Sequence, residues 1–262
     1  MHYGNMTDMR ILGVRFFRGT VSDAVSRAMA GGLVVIPSAP VLVRMTADAA
    51  HREALLGANF AIADSGYMVL LWRLIAWERL ERISGLEYLR LLQQRLQSNG
   101  VGSGPVVWIM PNSISRDRNL RWLRASGHLT KLEDCYLAPV YPSDGPLNDR
   151  ALLDLVLARR PSHIVICLGG GVQERLGYFL KIGLEKEAGA SFATGIHCVG
   201  AAIGFLSGDQ VRIPMWADYF YLGWLFRCFS EPRRFIPRYL NAVSLVLLVW
   251  RYGKDAPPAS RI

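Results

Sequence analysis

A single carboxylate stands where a short apolar segment ends. Residues 59–63 (Asn-Phe-Ala-Ile-Ala) predict a buried strand, and Asp64, Ser65 and Gly66 follow it directly. Ligands of open α/β sheets bind at the carboxyl ends of the strands, so an acid at this position would be held rigidly and face a cleft. The alternative is structural, because Asp before a helical segment is a common N-cap. Position alone leaves both interpretations of Asp64 open.

A second candidate is the glycine turn Gly169-Gly170-Gly171, which follows a predicted strand and opens a predicted helix. Unobstructed backbone amides at a helix N-terminus bind phosphate well. Gln173 and Glu174, in the first turn of that helix, add amide and carboxylate groups suited to ribose or sugar hydroxyls. The segment lacks both the GxGxxG fingerprint and the Gly-Lys-Ser/Thr of a P-loop. Since the turn also lies at a strand end, we expect it to share one crevice with Asp64.

Several motifs of other chemistries are absent from the sequence. There is no DxD dyad to hold a metal against a nucleotide diphosphate, and the five histidines are scattered without metal-ligand spacing. There is no Gly-x-Ser-x-Gly nucleophile elbow either. We therefore predict no metal and no cofactor, and interpret each histidine as an ordinary surface or core residue. Phosphate charge would then be neutralised by arginine, whose planar guanidinium suits bidentate contact. The available arginines include Arg82 and, towards the C-terminus, Arg227, Arg233, Arg234 and Arg238.

Composition narrows the class of protein. The 262 residues are enough for one α/β domain with a large core, alone or with a small appendage. A formal charge of +9 indicates an anionic partner such as nucleic acid, a phosphorylated ligand or an anionic membrane. The four cysteines show no CxxC pair, which argues against a zinc site or a disulfide framework. Because we see neither a signal peptide nor an apolar run of roughly 18 residues, we expect a cytoplasmic location.

The order of the predicted elements gives the fold class. Strands and helices alternate with short connections, which favours an α/β fold with a Rossmann-like, mostly parallel sheet flanked by helices. We predict a Rossmann-like catalytic domain over 1–208, a helical appendage over 209–252 and a Pro/Ala/Ser-rich, disordered tail over 253–262. The predicted elements include helices over 41–56 and 147–159 and a strand over 191–194.

The composition changes at Asp209. From there to Trp250, aromatic residues are interleaved with arginines, and the apolar run over 243–250 is too short to span a bilayer. Apolar rings for the acyl boundary and cations for lipid phosphates are what a membrane-surface segment needs. The alternative is a docked helical pair that buries its rings in the core. Both interpretations hold if the pair docks with one face outward.

Taken together, five segments resemble the bacterial glycosyltransferases of the WecG/TagA/CpsF family (glycosyltransferase family 26), over about residues 11–239. They are the Asp64 strand, Glu-Arg-Ile-Ser-Gly over 81–85, Gly-Gly-Gly-Val-Gln-Glu-Arg over 169–175, Val-Gly-Ala-Ala-Ile-Gly-Phe-Leu-Ser-Gly over 199–208, and an arginine-rich pattern over 212–240. Each motif alone is weak, but the set is specific. The resemblance implies a Rossmann-like (GT-E-like) core with a C-terminal, membrane-associating appendage that helps close the site.

The same resemblance implies an activity. Members of the family move a sugar from a UDP-sugar to a polyprenyl-diphosphate-linked sugar, inverting the anomeric centre without a metal, as peripheral proteins at the inner face of the cell membrane. By position, Asp64 would be the general base that deprotonates the acceptor hydroxyl. Gln173 and Glu174 would contact the nucleotide sugar, and Arg82 would shape the pocket. Arg227, Arg233, Arg234 or Arg238 would stabilise the pyrophosphate charge. No nucleic acid partner is implied, and a homo-oligomer is left open.

Departures from the family pattern line the proposed sugar pocket. Ser38 stands where the family usually has Asn, Ser65 separates Asp64 from a glycine that usually follows directly, and Gly204 replaces an Asp. This variant resembles the xanthan-type exopolysaccharide branch, in which glucose is added β-1,4 to a glucosyl-diphospho-lipid.

Three alternatives stay open. One is transfer of N-acetylmannosamine or its uronic acid from UDP to lipid-linked N-acetylglucosamine. A second, of another class, is a non-catalytic basic protein that binds membrane or nucleic acid. The third, a nucleotide-dependent oxidoreductase, is disfavoured by the missing glycine fingerprint.

Overall fold

The computed structural model describes residues 8–98, 104–189, 193–200, 202–208 and 243–259. Most of the predicted appendage, including all of its arginines except Arg251, lies outside these ranges. The predictions for Arg227, Arg233, Arg234 and Arg238 therefore fall outside the described residues.

The described strands form one eight-stranded sheet in the order β1-β2-β4-β3-β8-β7-β5-β6. β1 runs antiparallel to β2, and every other pair of described strands is parallel. The predicted α/β class with a mostly parallel sheet is confirmed. The strands are β1 (Met9–Ile11), β2 (Val14–Phe16), β3 (Gly32–Val35), β4 (Phe60–Ala61), β5 (Val106–Met110), β6 (Cys135–Leu137), β7 (His163–Ile166) and β8 (Gly195–Cys198).

Helices cover both faces of this sheet. Because alternate side chains of a strand point to opposite faces, β3 buries Leu33 and Val35 on one face and Val34 on the other. A central strand that is apolar at every position therefore needs helices on both sides. The described helices are α1 (Val21–Met29), α2 (Ala39–Arg44), α3 (Ala49–Leu56), α4 (Gly66–Ala76), α5 (Gly85–Ser98), α6 (Ser113–Ala125), α7 (Arg150–Arg159), α8 (Val172–Glu187), α9 (Ala202–Ser207) and α10 (Ser244–Tyr252).

The two sides of the sheet carry different helices. Side chains of α2, α3, α4, α7, α8 and α10 join Leu33 and Val35 in one apolar cluster. Side chains of α1, α5, α6 and α9 join Val34 in the other. The chain therefore buries two layers of core, one on each face of a single sheet.

Aspartates shift the start of two helices from the predicted positions. The single helix predicted over 41–56 is wrong, since Asp48 accepts a hydrogen bond from the His51 amide at 3.1 Å and caps α3 as a separate helix. Similarly, α7 begins at Arg150 rather than at 147, because Asp149 accepts from the Leu152 amide at 3.0 Å. A side-chain cap satisfies an amide that has no partner within the helix. An apolar pattern alone does not mark such starts.

One strand lies later in the chain than predicted, and another was not predicted. The strand predicted over 191–194 is wrong at Ala193 and Thr194, the described part of that range, because β8 occupies Gly195–Cys198. Pairing fixes β8 in place, with Ile196 opposite a residue of β3 and a residue of β7. β6 is an edge strand of three residues with partly buried and exposed side chains, shorter than the run of roughly four to eight residues that signals a buried strand.

The C-terminal residues of the described chain are held in place by the body of the protein. The amides of Leu12 and Gly13 donate to the carbonyls of Gly253 and Lys254, both at 2.9 Å. Further on, Arg52 Nε donates to the Pro257 carbonyl at 2.9 Å. The prediction of a disordered tail is therefore wrong for residues 253–259, because backbone pairing compensates for their polar composition. Residues 260–262 lie outside the described ranges.

A polar chain crosses the apolar core beside β7 and β8. Tyr88 Oη lies 2.8 Å from His197 Nδ1, and His197 Nε2 lies 3.1 Å from His163 Nδ1. Burial lowers the pKa of His163 to about 4 and the pKa of His197 to about 3. Gly195 makes room for both rings, since a Cβ there would lie 2.5 Å from His163 Nδ1. These two residues are core histidines, as predicted.

Candidate functional site

The sheet brings four segments of the chain to one edge. β4, β3, β8 and β7 are parallel neighbours, and beyond their carboxyl ends the chain continues to Asp64, Ser38, Gly200 and the glycine turn over 169–171, respectively. Three strand spacings, about 14 Å, separate the ends of β4 and β7. Asp64 and the glycine turn therefore belong to the same edge of the sheet. Ser38 lies between them in strand order, partly buried at the start of α2.

Asp64 is fixed by hydrogen bonds but remains accessible. Its Oδ1 accepts from the Gly85 amide at 3.0 Å and from Arg82 Nη2 at 3.3 Å. Arg82 Nε also donates to the Asp64 carbonyl at 2.7 Å, so the arginine holds both the side chain and the backbone. The side chain of Asp64 is 41% exposed, against 15% for Arg82. Within the described chain, no group donates a hydrogen bond to Oδ2.

The helix that follows Asp64 is capped by Ser65. The Ser65 hydroxyl accepts from the Met68 amide at 3.4 Å, and Ser65 has the extended backbone of an N-cap residue. The alternative that Asp64 caps this helix is therefore wrong. Asp64 instead receives the first amide of α5, a helix 21 residues further along the chain. The positive end of the α5 dipole thus lies against the carboxylate.

Gly85 allows this close approach. A Cβ on Gly85 would lie 3.3 Å from Ile36 Cγ2 and 3.6 Å from Asp64 Oδ2. A Cβ would press on Ile36, at the end of β3, and would bring a methyl group into contact with Oδ2 of Asp64. The glycine that ends the sequence Ile83-Ser84-Gly85 is therefore explained by the lack of space beside Ile36.

The glycine turn presents backbone on its outside and is anchored on its inside. Gly169 and Gly170 are exposed, and no atom of the described residues lies within 4 Å of where a Gly169 Cβ would stand. Gly171 is buried with φ +96°, a conformation that favours glycine, and a Cβ there would lie 2.9 Å from Arg44 Nη1. Its amide donates to Glu174 Oε2 at 2.6 Å. The exposed part of the turn suits an anion, and the buried part sets its shape.

The two polar residues predicted beside the turn lie inside the protein. Glu174 is completely buried, and its Oε1 accepts from Gln173 Nε2 at 3.0 Å. Both carboxylate oxygens of Glu174 are thus bonded to groups of the same turn. Gln173 is 4% exposed, and its Oε1 is a buried acceptor without a partner in the described chain. That amide lies against Gly200, where a Cβ would stand 3.4 Å from it.

Two arginines that were not selected from the sequence, Arg175 and Arg44, donate hydrogen bonds to backbone carbonyls next to the glycine turn. Arg175 is 2% exposed and donates to the carbonyls of Gly171, Pro142 and Ser143 at 3.0, 2.8 and 2.9 Å. Burial is the main cause that lowers the pKa of Arg175. Arg44 donates to the same Ser143 carbonyl. Arg175 belongs to the 169–175 motif, which was the only sequence signal for it.

The comparison with known families decides the class of protein. The model of the glycosyl transferase WecG/TagA/CpsF family matches residues 9–257. The chain belongs to this family. The match covers both the glycine turn and Asp64 with its partners Arg82 and Gly85. Both therefore lie in the part of the chain that the family shares. No protein of curated function shows significant similarity to the chain.

Membership in the WecG/TagA/CpsF family confirms the predicted enzyme class, since this is a family of glycosyltransferases. It implies in general terms a nucleotide-sugar donor and a lipid-linked acceptor. The alternative of a non-catalytic binding protein does not agree with this membership. Over the described ranges, no group of three or more His, Cys, Asp or Glu side chains is placed to hold a metal ion. No described helix is both long and apolar enough to cross a membrane.

Proposed function

We propose that this WecG/TagA/CpsF protein is an inverting, metal-independent transferase that moves a hexose from a UDP-sugar to a polyprenyl-diphosphate-linked sugar. The proposed hexose is glucose, added β-1,4 during assembly of an exopolysaccharide repeat unit. One observation supports the proposal most: an accessible carboxylate, Asp64, is fixed by Arg82 and the first amide of α5 at the carboxyl edge of the sheet. Asp64 is the catalytic residue of this mechanism.

Asp64 acts in this mechanism as the general base. Oδ1 is bonded to Arg82 and Gly85, so Oδ2 takes the proton of the acceptor hydroxyl. The acceptor oxygen attacks the anomeric carbon from the side opposite UDP, and the bond from that carbon to the UDP oxygen breaks. UDP leaves with the electron pair, and the configuration inverts. A positioned base contributes roughly 100- to 10,000-fold to the rate.

The glycine turn holds the donor. Amides of Gly169 and Gly170 contact the donor phosphates, since both residues are exposed at a helix N-terminus. Gln173 offers the unpartnered acceptor Oε1 towards Gly200. Glu174 acts through the turn, as a positioning residue, because its oxygens are bonded to Gly171 and Gln173. Ser38 and Ser65 line the sugar pocket and help select the hexose.

Arginines neutralise the charge of the departing diphosphate. Arg82 is at the site already, bonded to Asp64. Fixed cations stabilise charge that develops in a transition state, and in this mechanism they do what a metal ion does elsewhere. The further arginines proposed for this role are Arg227, Arg233, Arg234 and Arg238.

The acceptor places the reaction at a membrane. A polyprenyl diphosphate keeps its chain in the bilayer, so the enzyme works from the inner face of the cell membrane as a peripheral protein. Aromatic and arginine residues over 209–242 support this location by composition.

The direct test is transfer in the presence of EDTA. Purified full-length protein is incubated with UDP-glucose and a lipid-diphospho-glucose acceptor, and the product is identified by mass. A parallel screen with UDP-N-acetylmannosamine and its uronic acid, on lipid-linked N-acetylglucosamine, distinguishes the alternative donors because their products differ in mass. Asp154→Asn is a matched control for Asp64→Asn, since Asp154 is an exposed aspartate on α7. Absence of transfer from every UDP-sugar would refute the proposal.

A further inference from the structure

Two helices that pack against each other, α4 and α10, both present apolar side chains to solvent. Six of the twelve large hydrophobic side chains exposed in the described chain lie on them, so the exposure is concentrated. On each helix the spacing is i, i+4, i+7, which places the side chains on one side of that helix. We call these six residues the α4–α10 face: Leu70 (49% exposed), Leu74 (72%), Trp77 (88%), Val243 (59%), Leu247 (67%) and Trp250 (75%).

The composition of the two helices is unusual for a protein surface. α4 contains one charged residue, Arg73, and α10 contains one, Arg251. A helix that is apolar on all sides is normally buried on all sides. Here one side of each helix is buried, through Trp72 on α4 and Val249 on α10, and the opposite side is exposed. The exposed side therefore has the chemistry of a contact surface.

Trp77 adds a second, independent observation. It is the C-cap of α4 and has φ 55° and ψ 20°, in the left-handed region. Glycine is the usual residue there, because a Cβ is strained in that conformation. An 88% exposed indole has little packing within the protein to compensate for that strain. An exposed, strained tryptophan is expected where the side chain serves binding.

The ends of the two helices that carry tryptophan lie close together. Lys254, which follows α10, forms an ion pair of 2.5 Å with Glu78, which follows Trp77. The segments 78–82 and 251–255 at these ends carry four cations, Arg79, Arg82, Arg251 and Lys254, and three acids, Glu78, Glu81 and Asp255. The region therefore has apolar side chains on the helices, indole rings at one end, and charges of both signs beyond the rings. Tryptophan is enriched at membrane interfaces, where its ring lies at the level of the headgroups.

We propose that the α4–α10 face lies in the membrane interface and carries the catalytic domain on the bilayer. Its apolar side chains enter the acyl boundary, while the charged residues beyond Trp77 and Trp250 stay at the lipid headgroups. α4 begins directly after Asp64 and Ser65, so this contact would hold the proposed general base close to the bilayer. The inference rests on the proposed function only in that a lipid-linked acceptor requires such a position.

Vesicle co-sedimentation tests the proposal without any sugar substrate. The full-length protein is mixed with phosphatidylcholine vesicles, with and without phosphatidylglycerol. Leu74→Glu combined with Leu247→Glu is expected to lower the partition coefficient at least tenfold, in low and in high salt, because the face contributes apolar rather than ionic contact. Leu129→Glu is the control and is expected to change it less than twofold. Leu129 is 94% exposed and follows α6, on the other side of the sheet.

Trp77→Gly separates binding from folding. Glycine relieves the left-handed strain, so the Tm is expected to rise by about 2 °C. Removal of the indole is expected to weaken vesicle binding about threefold. A purely structural role for Trp77 would lower the Tm and leave vesicle binding unchanged, which would contradict the proposal.

Other occupants of the face give different results. If the Leu74→Glu, Leu247→Glu protein binds vesicles like the wild type, the proposal is wrong. If sedimentation velocity shows that this double variant turns a dimer into a monomer, a second copy covers the face instead. Acrylamide quenching of tryptophan fluorescence tests the remaining occupant in protein without vesicles. If Trp77→Phe and Trp250→Phe leave the quenching unchanged, the two rings are shielded and the segment 209–242 covers the face instead. Asp64→Asn should retain vesicle binding, so a failure of the proposed catalysis is distinguishable from a failure of this inference.

Discussion

Two carboxylates at the same edge of the sheet have opposite surroundings. Asp64 is 41% exposed and has one oxygen without a partner in the described chain, whereas Glu174 is completely buried with both oxygens bonded. Both follow a strand and lie beside the start of a helix. Their positions in the fold are therefore alike, and their environments differ. A carboxylate that accepts a proton from a substrate needs an accessible oxygen, and only Asp64 has one.

The contrast extends to what each residue holds. Asp64 joins segments far apart in sequence, since its partners are Arg82 and Gly85. Glu174 joins neighbours within one turn, Gly171 and Gln173. Loss of the first carboxylate should therefore affect the reaction, and loss of the second should affect the stability of the glycine turn. Three substitutions, Asp64→Asn, Glu174→Gln and Gly85→Ala, test this difference.

Asp64→Asn should have the largest effect, on turnover alone. The new amide oxygen still accepts from Gly85, but it is no base, so the rate of transfer should fall roughly 100- to 10,000-fold. The urea midpoint should stay close to that of the wild type, because the lost ion pair with Arg82 is partly exposed. Steady-state transfer and urea unfolding measure the two quantities. A near-normal rate would remove Asp64 as the base.

Glu174→Gln should affect mainly stability, the reverse of what is expected for Asp64→Asn. Its new NH₂ group would meet a donor, either the Gly171 amide or Gln173 Nε2, and the free energy of unfolding should fall by about 2 kcal/mol. The matched control is Glu185→Gln on the same helix, where the side chain is 57% exposed and the expected change is under about 0.5 kcal/mol. Urea denaturation measures both. Loss of transfer at unchanged stability would show that Glu174 contacts substrate directly, and the contrast with Asp64 would fail.

Gly85→Ala should lower turnover less than Asp64→Asn does. The added methyl would lie 3.3 Å from Ile36 Cγ2, so Ile36 or the Gly85 backbone must shift by a few tenths of an ångström, whereas its 3.6 Å distance from Asp64 Oδ2 is an ordinary contact. Turnover should fall up to roughly tenfold, since a shift of the Gly85 amide would displace the carboxylate that it holds. Adding Ile36→Ala removes the crowding methyl and should restore part of the rate. Rescue by this second change would not occur if Gly85 mattered only for the stability of α5.

The buried histidines predict a pH dependence of stability that involves neither Asp64 nor Glu174. Burial lowers the pKa of His163 to about 4 and the pKa of His197 to about 3, below the value of 6.5 that applies to the unfolded chain. The unfolded state therefore binds protons first as the pH falls. Stability is fully present above the unfolded pKa and is lost as the pH drops from about 6.5 towards about 4.

Each of these histidines should contribute a loss of about 1 kcal/mol per pH unit in that window. Urea midpoints between pH 7 and pH 5 measure the slope. His163→Asn and His197→Asn should each show a shallower slope than the wild type, although both start from lower stability. His128→Asn should also show a shallower slope, because burial lowers the pKa of His128 as well, although it lies outside the Tyr88–His197–His163 chain. Equal slopes in all four proteins would contradict the assignment.

Much of the fold followed from local patterns. Alternating apolar strands and amphipathic helices predicted the mostly parallel sheet. The predictions were wrong where one polar residue overrode an apolar pattern, as Asp48 does between α2 and α3. They were also wrong where pairing chose the strand, as at β8, or where backbone contacts ordered a polar tail, as at Pro257.

By itself, the sequence determined the class of fold and the segments that reach the site, because hydrophobic period and glycine turns are local properties. Residues in contact across long sequence separations were decided only by the tertiary structure. The bond from the Gly85 amide to Asp64 and the four-carbonyl environment of Arg175 depend on which strands are neighbours. The burial of Glu174 and the exposure of Asp64 are likewise consequences of packing. Sequence therefore named the two carboxylates, and structure distinguished their surroundings.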